Sequence, residues 1–196
     1  MTMKMLQQAI KDRRSYYSIS NNSPLSNNEI KEIIDLAVKH VPSAFNSQST
    51  RIVLLLGEHH KKLWDITKDE LQKIVSADAF AATKEKIETS FQSGYGTVLF
   101  FEDQRIVESL QEQFPSYKDN FPVWSEHTSA MHQYAVWTML ESAGFGASLQ
   151  HYHPLISKGV AKTWDIHPEW KLVAQMPFGT PVGEPGKKEF KPLEGR

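Results

Sequence analysis

The chain has 196 residues, of which 40% are hydrophobic and 11% aromatic. A chain of this length buries enough apolar surface for one core, so we expect a single domain over residues 1–196. The 22 basic and 23 acidic residues leave a formal net charge of −1 at pH 7, which makes nucleic acid an unexpected partner. Because the chain contains no cysteine, disulfides, thiolate metal sites and thiol catalysis are excluded.

The sequence shows no pattern typical of export or membrane insertion. Residues 1–17 lack a continuous apolar core and become charged, unlike a secretory signal. No apolar segment approaches the roughly 20 residues of a membrane span. We therefore expect a cytoplasmic protein with no membrane partner.

The first half of the chain predicts helices around one buried strand. A short helix is predicted over residues 5–11, and Ser26 and Glu29 have the spacing of a capping box at the start of a second helix. The buried face of that second helix is predicted to contain Ile30, Ile33, Ile34, Ala37, Val38 and Val41. The apolar run at 51–56 predicts a strand that ends at Gly57, and helices are expected over 59–75 and 78–91.

The second half adds two strands and a long helix. A strand is predicted over 97–101, and like the strand at 51–56 it is apolar enough to be covered on two faces. Residues 125–143 are apolar nearly all round, which is typical of a helix buried in a core or in a subunit interface. A short helix over 155–162 and a strand over 171–176 follow, and a tail rich in Gly, Pro and Lys ends the chain. These elements predict the α+β class, with helices around a small sheet.

Arg13, Arg14 and Ser15 place two guanidiniums and a hydroxyl directly after the first helix. Arginine side chains match phosphate or carboxylate oxygens bidentately, so this stretch is a candidate anion clamp. The alternative is a solvated helix C-terminus, where the helix dipole favours basic side chains.

The segment before the first strand is rich in short polar side chains: Ser43, Asn46, Gln48 and Ser49. Neutral donors and acceptors of this kind can form hydrogen bonds with the edge of a planar heterocycle without adding charge to the site. The alternative is a turn in which Ser43 and Asn46 satisfy backbone groups.

A third candidate stretch follows the long helix. Gly144 and Gly146 allow close approach of the main chain to something flat, and Leu149, Gln150 and His151 come directly afterwards. His151 and His153 alternate onto one face and would permit a metal pair, but no third ligand has a recognisable spacing. No metal is therefore expected. His59 and His60 are expected in a solvated helix start.

These stretches, with the basic tail "GKKEFKP", occur in an order that resembles the FMN-dependent nitroreductase family. The segments "PSAFNSQSTR" and "GASLQHYHP" are most similar to its short subgroup, which includes copper-induced and fatty-acid-repression-type nitroreductases. The resemblance covers essentially the whole chain. It implies a nitroreductase-like α+β sandwich that forms a homodimer, with FMN bound at the subunit interface.

The resemblance also implies roles for particular residues. Arg13, Arg14 and Ser15 would hold the phosphate and ribityl chain of FMN and reach the pyrimidine edge of its ring. The segment that approaches the flavin from the partner subunit corresponds to Ser43, Asn46 and Gln48. The reactive nitrogen of the flavin ring would lie beside Leu149, Gln150 and His151, mainly against their main-chain groups. A phosphate-binding lysine of the family matches Lys187 or Lys188.

Two positions depart from the family pattern. Relatives commonly have Pro-Trp where this chain has Ser49 and Thr50. They also have an arginine two residues after the tail lysine, whereas this chain has Phe190 two residues after Lys188. The tail also ends at Arg196, which would shorten an arm that embraces the partner.

The activity implied is transfer of a hydride from NAD(P)H through the flavin to a nitroaromatic or quinone, with ping-pong kinetics. No GxGxxG fingerprint is present, which fits a nicotinamide that binds transiently. No side chain is assigned a certain catalytic role, because the flavin performs the redox chemistry; Tyr16, Tyr17, His151 or solvent could donate a proton. Two alternatives stay open: a flavin-binding regulatory or stress-response module with little turnover, and a ligand-free helical interaction protein.

Overall fold

The computed structural model describes residues 5–195; Arg196, where the predicted tail ends, lies outside that range, as do residues 1–4. The described helices are α1 (Leu6–Asp12), α2 (Asn27–His40), α3 (Glu58–Gln72), α4 (Ala77–Ser90), α5 (Gln104–Gln113), α6 (Asn120–Ser142) and α7 (Ser157–Trp164). The strands are β1 (Ile19–Ser20), β2 (Thr50–Leu56), β3 (Gly96–Asp103), β4 (Gly146–Ala147) and β5 (Trp170–Pro181). Short 3₁₀ turns occupy Ala44–Asn46 and Pro115–Tyr117.

The strands form one antiparallel sheet in the order β1-β5-β3-β2, and β4 also pairs with β5. This architecture confirms the predicted α+β class with helices around a small sheet. The middle strand β3 is buried along its whole length, as expected for a strand covered on both faces. The same expectation is wrong for β2, an edge strand with most residues only half-buried.

The two faces of the sheet support separate cores. Since side chains alternate along β3, Val98 and Phe100 pack against α2 and α6, while Leu99 and Phe101 face the other way. The first core contains Ile30, Ile34, Ala37, Val98, Phe100, Val136, Leu140, Phe145, Ala147, Ala174, Met176 and Phe178. The second contains Leu55, Leu63, Trp64, Ile66, Ile87, Phe91, Leu99, Phe101, Ile156, Val160 and Leu172.

Helix α2 begins with the predicted capping box. The Ser26 hydroxyl accepts a hydrogen bond from the Glu29 amide at 3.3 Å, and the Glu29 carboxylate accepts one from the Ser26 amide at 2.8 Å. The predicted buried face is wrong at Val38, which is 42% exposed. Val38 lies eight residues after Ile30, which rotates it about 80° away from that residue and onto the edge of the buried stripe.

The long helix α6 differs from its prediction in length and in the direction of its apolar side chains. It begins at Asn120 instead of 125. Its buried side includes polar residues such as His132 and Gln133, while Met131 is 40% and Tyr134 45% exposed. The prediction that this helix is buried on all sides by its own chain is therefore wrong.

Several elements were absent from the sequence prediction. Helix α5 is short and mostly polar, and Val107 is its one buried residue. Strands β1 and β4 contain two residues each. Strand β5 continues to Pro181, five residues beyond the predicted end, because its buried run extends through Phe178 and Gly179.

Candidate functional site

A basic cavity of about 280 Å³ lies between the segment after α1 and the C-terminal tail. Its lining consists of Arg13, Arg14, Ser15, Tyr17, Gly186, Lys187 and Lys188. An Arg14 side-chain N–H donates to the Gly186 carbonyl, 172 residues away, and so ties the two segments together. The structure thus brings all five of the residues predicted to hold phosphate to one place.

The electrostatics of this cavity suit an anion. Four of the lining side chains are cationic and none is a carboxylate. Lys187 has one carboxylate nearby, that of Glu189 at 4.0 Å. Several cations around one cavity favour a bound anion, and Arg and Lys are the usual phosphate ligands. An FMN phosphate therefore fits the donor set of this cavity.

Arg13 is held by a second element. Its guanidinium carbon lies 4.4 Å from the centre of the Trp137 ring on α6. The indole Nε1 of Trp137 is buried and has no hydrogen-bond partner among residues 5–195. Stacking fixes the plane of a guanidinium and leaves its N–H edge available for a ligand.

The residues beside the cavity pack directly against the segment after α6. Ser15 forms a bridge with Ala147, and the Tyr16 amide donates to the Ala147 carbonyl at 3.0 Å. A Cβ on Gly146 would lie 2.8 Å from the Tyr16 side chain, so only glycine permits this approach. The flat group that approaches Gly146 in the structure is therefore Tyr16.

The segment 149–151, which is predicted to lie along the flavin ring, runs antiparallel to β5. Gln150 and Gln175 exchange both backbone hydrogen bonds, at 2.7 and 2.9 Å. In such a pair the backbone N–H groups of the flanking residues, Leu149 and His151, point away from the partner strand. The Nε2 of Gln175 is buried without a partner in the described part of the chain, while its Oε1 accepts from the Tyr152 amide at 2.7 Å.

His151 and His153 lie side by side, with ring centres 6.0 Å apart. His151 is exposed, and burial lowers the pKa of His153 below its usual value. Within residues 5–195, no three His, Asp or Glu side chains come together as metal ligands.

The polar segment before β2 is folded back on itself. The Ser43 hydroxyl accepts a hydrogen bond from the Gln48 amide at 3.0 Å, as the turn alternative expects. The Asn46 and Gln48 side chains are exposed. Asn46 lines an open groove of about 550 Å³ with Arg51 and Asp103, and none of Ser43, Asn46 or Gln48 lines the basic cavity. One chain therefore keeps the two predicted parts of the site apart.

The family of the chain follows from comparison with known proteins. The sequence model of the nitroreductase family matches residues 10–180. The chain belongs to the nitroreductase family.

Individual nitroreductases resemble the whole chain. HBN1 of Saccharomyces cerevisiae is 35% identical over 180 residues, covering 91% of this chain and 89% of HBN1. FRM2 of the same yeast is 34% identical, with coverages of 93% and 91%. The structure of CinD from Lactococcus lactis in complex with nicotinic acid has a TM-score of 0.89 and 42% identity, and the match covers 96% of this chain and 95% of CinD. Thus the predicted resemblance to the nitroreductase family and the predicted α+β fold of the chain are confirmed; the homodimer stays a prediction.

A buried polar cluster that the sequence analysis missed lies at the start of β2. The carboxylate of Glu102 accepts hydrogen bonds from the hydroxyls of Ser49 at 2.6 Å and Thr50 at 2.5 Å. Glu102 is fully buried, which raises its pKa to about 7, while the two hydroxyls oppose this rise. Two members of the cluster, Ser49 and Thr50, are the residues at which the sequence departs from the expected family pattern. The strand was predicted to end at residue 101, and nothing in the sequence indicated that Glu102, the next residue, is buried.

Next to that cluster, Asp103 binds two arginines. Its carboxylate lies 2.6 Å from Arg105 and 3.2 Å from Arg51, and hydrogen bonding to Arg105 holds the pKa of Asp103 below its usual range. Arg51 also donates to the Gln48 carbonyl at 2.7 Å. The end of the polar segment is therefore tied to the sheet.

The expectation for His60 is wrong. His60 is 1% exposed, because it lies on the side of α3 that packs on the sheet. Its Nε2 donates to the Gln92 carbonyl at 3.2 Å, so Nδ1 is the acceptor for the Thr97 hydroxyl at 2.8 Å. Desolvation lowers the pKa of His60 to about 4, and the side chain is neutral at physiological pH.

The described helices include none with the length and apolar character needed to cross a membrane.

Proposed function

We propose that this nitroreductase-family chain is an FMN-dependent oxidoreductase that transfers a hydride from NAD(P)H to a nitroaromatic or quinone. The observation that carries the proposal is the cavity lined by Arg13, Arg14, Lys187 and Lys188 without a carboxylate. Relatives support it: CinD has been solved with chloramphenicol and with 4-nitrophenol. A nitroreductase-fold protein from Desulfovibrio desulfuricans, with 16% identity and a TM-score of 0.69, has been solved with FMN.

The chain would contact FMN both at its phosphate and at its flavin ring. The four cations bind the phosphate, and Ser15 offers a hydroxyl to the ribityl chain beside it. The backbone N–H groups of Leu149 and His151 face away from β5 and can donate to the ring. Bound FMN supplies the hydride chemistry, so the protein needs no nucleophilic side chain.

The second half of the site would come from another subunit. Ser43, Asn46 and Gln48 do not line the basic cavity of their own chain. The exposed Met131 and Tyr134 on α6 form an apolar surface that a partner would cover. Both observations support a homodimer in which the polar segment of one chain approaches the flavin of the other.

The use of one site by reductant and oxidant in turn would give ping-pong kinetics. Double-reciprocal plots of NAD(P)H at several fixed concentrations of 4-nitrophenol or chloramphenicol should then be parallel. Intersecting lines would indicate a complex that holds both substrates and would contradict the shared site.

The direct test starts with the purified protein. An absorbance scan, followed by release of the cofactor on denaturation, identifies FMN, and NADH or NADPH added anaerobically should bleach it. A colourless protein that takes up no added FMN would overturn the proposal. If flavin is bound but neither nicotinamide bleaches it, the flavin-binding module becomes the better description.

A further inference from the structure

The polar segment 43–48 has an unusual backbone. Phe45, Asn46 and Gln48 have φ angles of 57°, 51° and 49°, in the left-handed region. Residues with a Cβ adopt this region at a cost, and a bulky aromatic residue does so rarely. Three such residues within four positions persist only where the surroundings stabilise them.

The aromatic ring of Phe45 has the surroundings that such a backbone needs. It packs against four other rings, from Phe114, Tyr117, Phe121 and Trp124. The ring centres lie 4.9, 5.8, 5.3 and 6.0 Å from that of Phe45, within the range of favourable aromatic pairs. Phe121 and Trp124 belong to α6, so the ring joins the polar segment to the long helix.

The hydrogen bonds of the segment are mostly internal. The Asn46 amide donates to the Ser43 carbonyl at 3.0 Å, and the Ser47 amide to the Ala44 carbonyl at 3.1 Å. Together with the bond from the Gln48 amide to the Ser43 hydroxyl, they close the turn on itself. Such local bonds do not fix the position of the turn relative to the body of the protein. The Arg51 bond to the Gln48 carbonyl holds the end of the segment, and the ring of Phe45 holds its middle.

We propose that Phe45 is a positioning residue, whose ring holds segment 43–48 in its left-handed conformation and so presents Asn46 and Gln48 to the flavin. The effect on flavin binding rests on the proposed function. The anchoring of segment 43–48 by Phe45 does not, because it involves only contacts within the chain. The ring acts through the backbone, and the two amide side chains make the contact.

The first measurement is amide hydrogen exchange of residues 46–48 in the flavin-free protein. Phe45→Ala keeps the Cβ that disfavours positive φ and removes the ring, so exchange should become at least about tenfold faster. Phe45→Gly also removes the ring but permits positive φ, and its exchange should be slower than that of Phe45→Ala. Phe45→Tyr should keep wild-type exchange.

The second measurement is riboflavin affinity, because riboflavin lacks the phosphate. Affinity should decrease in the order wild type and Phe45→Tyr, then Phe45→Gly, then Phe45→Ala. A merely apolar contact would make Gly no better than Ala. The matched control is Phe80→Ala, which removes a half-buried phenylalanine of α4; it should change neither quantity.

The outcomes separate this inference from the proposed function. If Phe45→Ala exchanges as slowly as the wild type, or more slowly than Phe45→Gly, the positioning role is wrong even when flavin binds normally. If the exchange order holds but no variant binds riboflavin or FMN, the anchoring stands, and both the proposed function and the consequence for flavin are overturned.

Discussion

The guanidinium carbon of Arg13 lies 4.4 Å from the centre of the indole ring of Trp137. Arg13 follows the first helix and Trp137 is near the end of α6, so this stacking connects the basic cavity to the long helix. It orients one of the four cations before any ligand arrives. The Arg13 side chain therefore loses less conformational entropy when it binds a ligand in this orientation.

This stacking predicts a specific effect of Trp137→Leu. Cation–π contacts contribute about 0.5–2 kcal/mol, so the affinity for FMN should fall by roughly 2–30-fold. Riboflavin affinity should change less, because the proposed function assigns Arg13 to the phosphate, which riboflavin lacks. Titration of both flavins measures the ratio, and Trp137→Phe, which keeps an aromatic ring, is the matched control. Equal loss for both flavins would show that Trp137 acts through general packing.

Replacement of Arg13 or Arg14 by Ala tests the phosphate clamp itself. Hydrogen bonds to charged groups contribute about 1.5–3 kcal/mol, so each change should weaken FMN binding by roughly 10–150-fold and leave riboflavin binding near the wild-type value. Lys11→Ala removes the same charge from an exposed position outside the cavity lining and serves as control. The clamp is wrong if the wild type binds riboflavin as tightly as FMN, or if the double Ala variant keeps full flavin occupancy.

The basic cavity could be predicted in parts from the sequence, but its assembly could not. The motifs around Arg13 and Lys187 were visible, yet only the order of motifs in a known family indicated that they meet. The Trp137 contact crosses from one helix to another and leaves no local pattern. Glu102 and His60 were missed for a related reason: burial of a polar side chain depends on tertiary partners such as Ser49 and Gln92, which periodicity does not reveal.

The lowered pKa of buried His60 leads us to expect a loss of folding stability in mild acid. Its pKa is lowered from 6.5 to about 4, so the unfolded chain binds a proton that the folded chain does not as the pH falls below 6.5. The stability contribution is present above pH 6.5 and is lost as the pH falls towards 4, by up to about 3 kcal/mol. Urea unfolding of the wild type and of His60→Gln should therefore give a difference that shrinks between pH 7.5 and 4.5. His40→Gln, at the exposed end of α2, should show no such trend.

The raised pKa of buried Glu102 leads us to expect the opposite dependence of folding stability on pH. Burial raises its pKa from 4.5 to about 7, so the folded chain retains a proton that the unfolded chain releases. This contribution to stability is fully present below pH 4.5 and is lost as the pH rises through 7. The free energy of unfolding of the wild type should thus decrease relative to that of Glu102→Gln between pH 5 and 8. Glu112→Gln on the exposed side of α5 is the control; a constant difference for Glu102→Gln would show that the carboxylate is ionised throughout.

The exposed apolar side of α6 predicts that flavin binding depends on assembly. If the segment 43–48 completes the site of a partner, subunit separation should release flavin, because binding and dimerisation stabilise each other. Dilution should then lower flavin occupancy and the sedimentation coefficient over the same range of concentration.

Tyr134→Lys provides the sharper form of this test. A charge on this exposed ring position would have to be desolvated in an interface, so the variant should dissociate at higher protein concentrations than the wild type and lose FMN with the partner. Ile74→Lys introduces the same charge at a 65% exposed position after α3 and should leave both quantities unchanged. Since the basic cavity is formed within one chain, some FMN affinity should remain in the monomer. A Tyr134→Lys monomer that holds stoichiometric FMN as tightly as the wild type would show that one chain contains the whole site and that Ser43, Asn46 and Gln48 have no part in it.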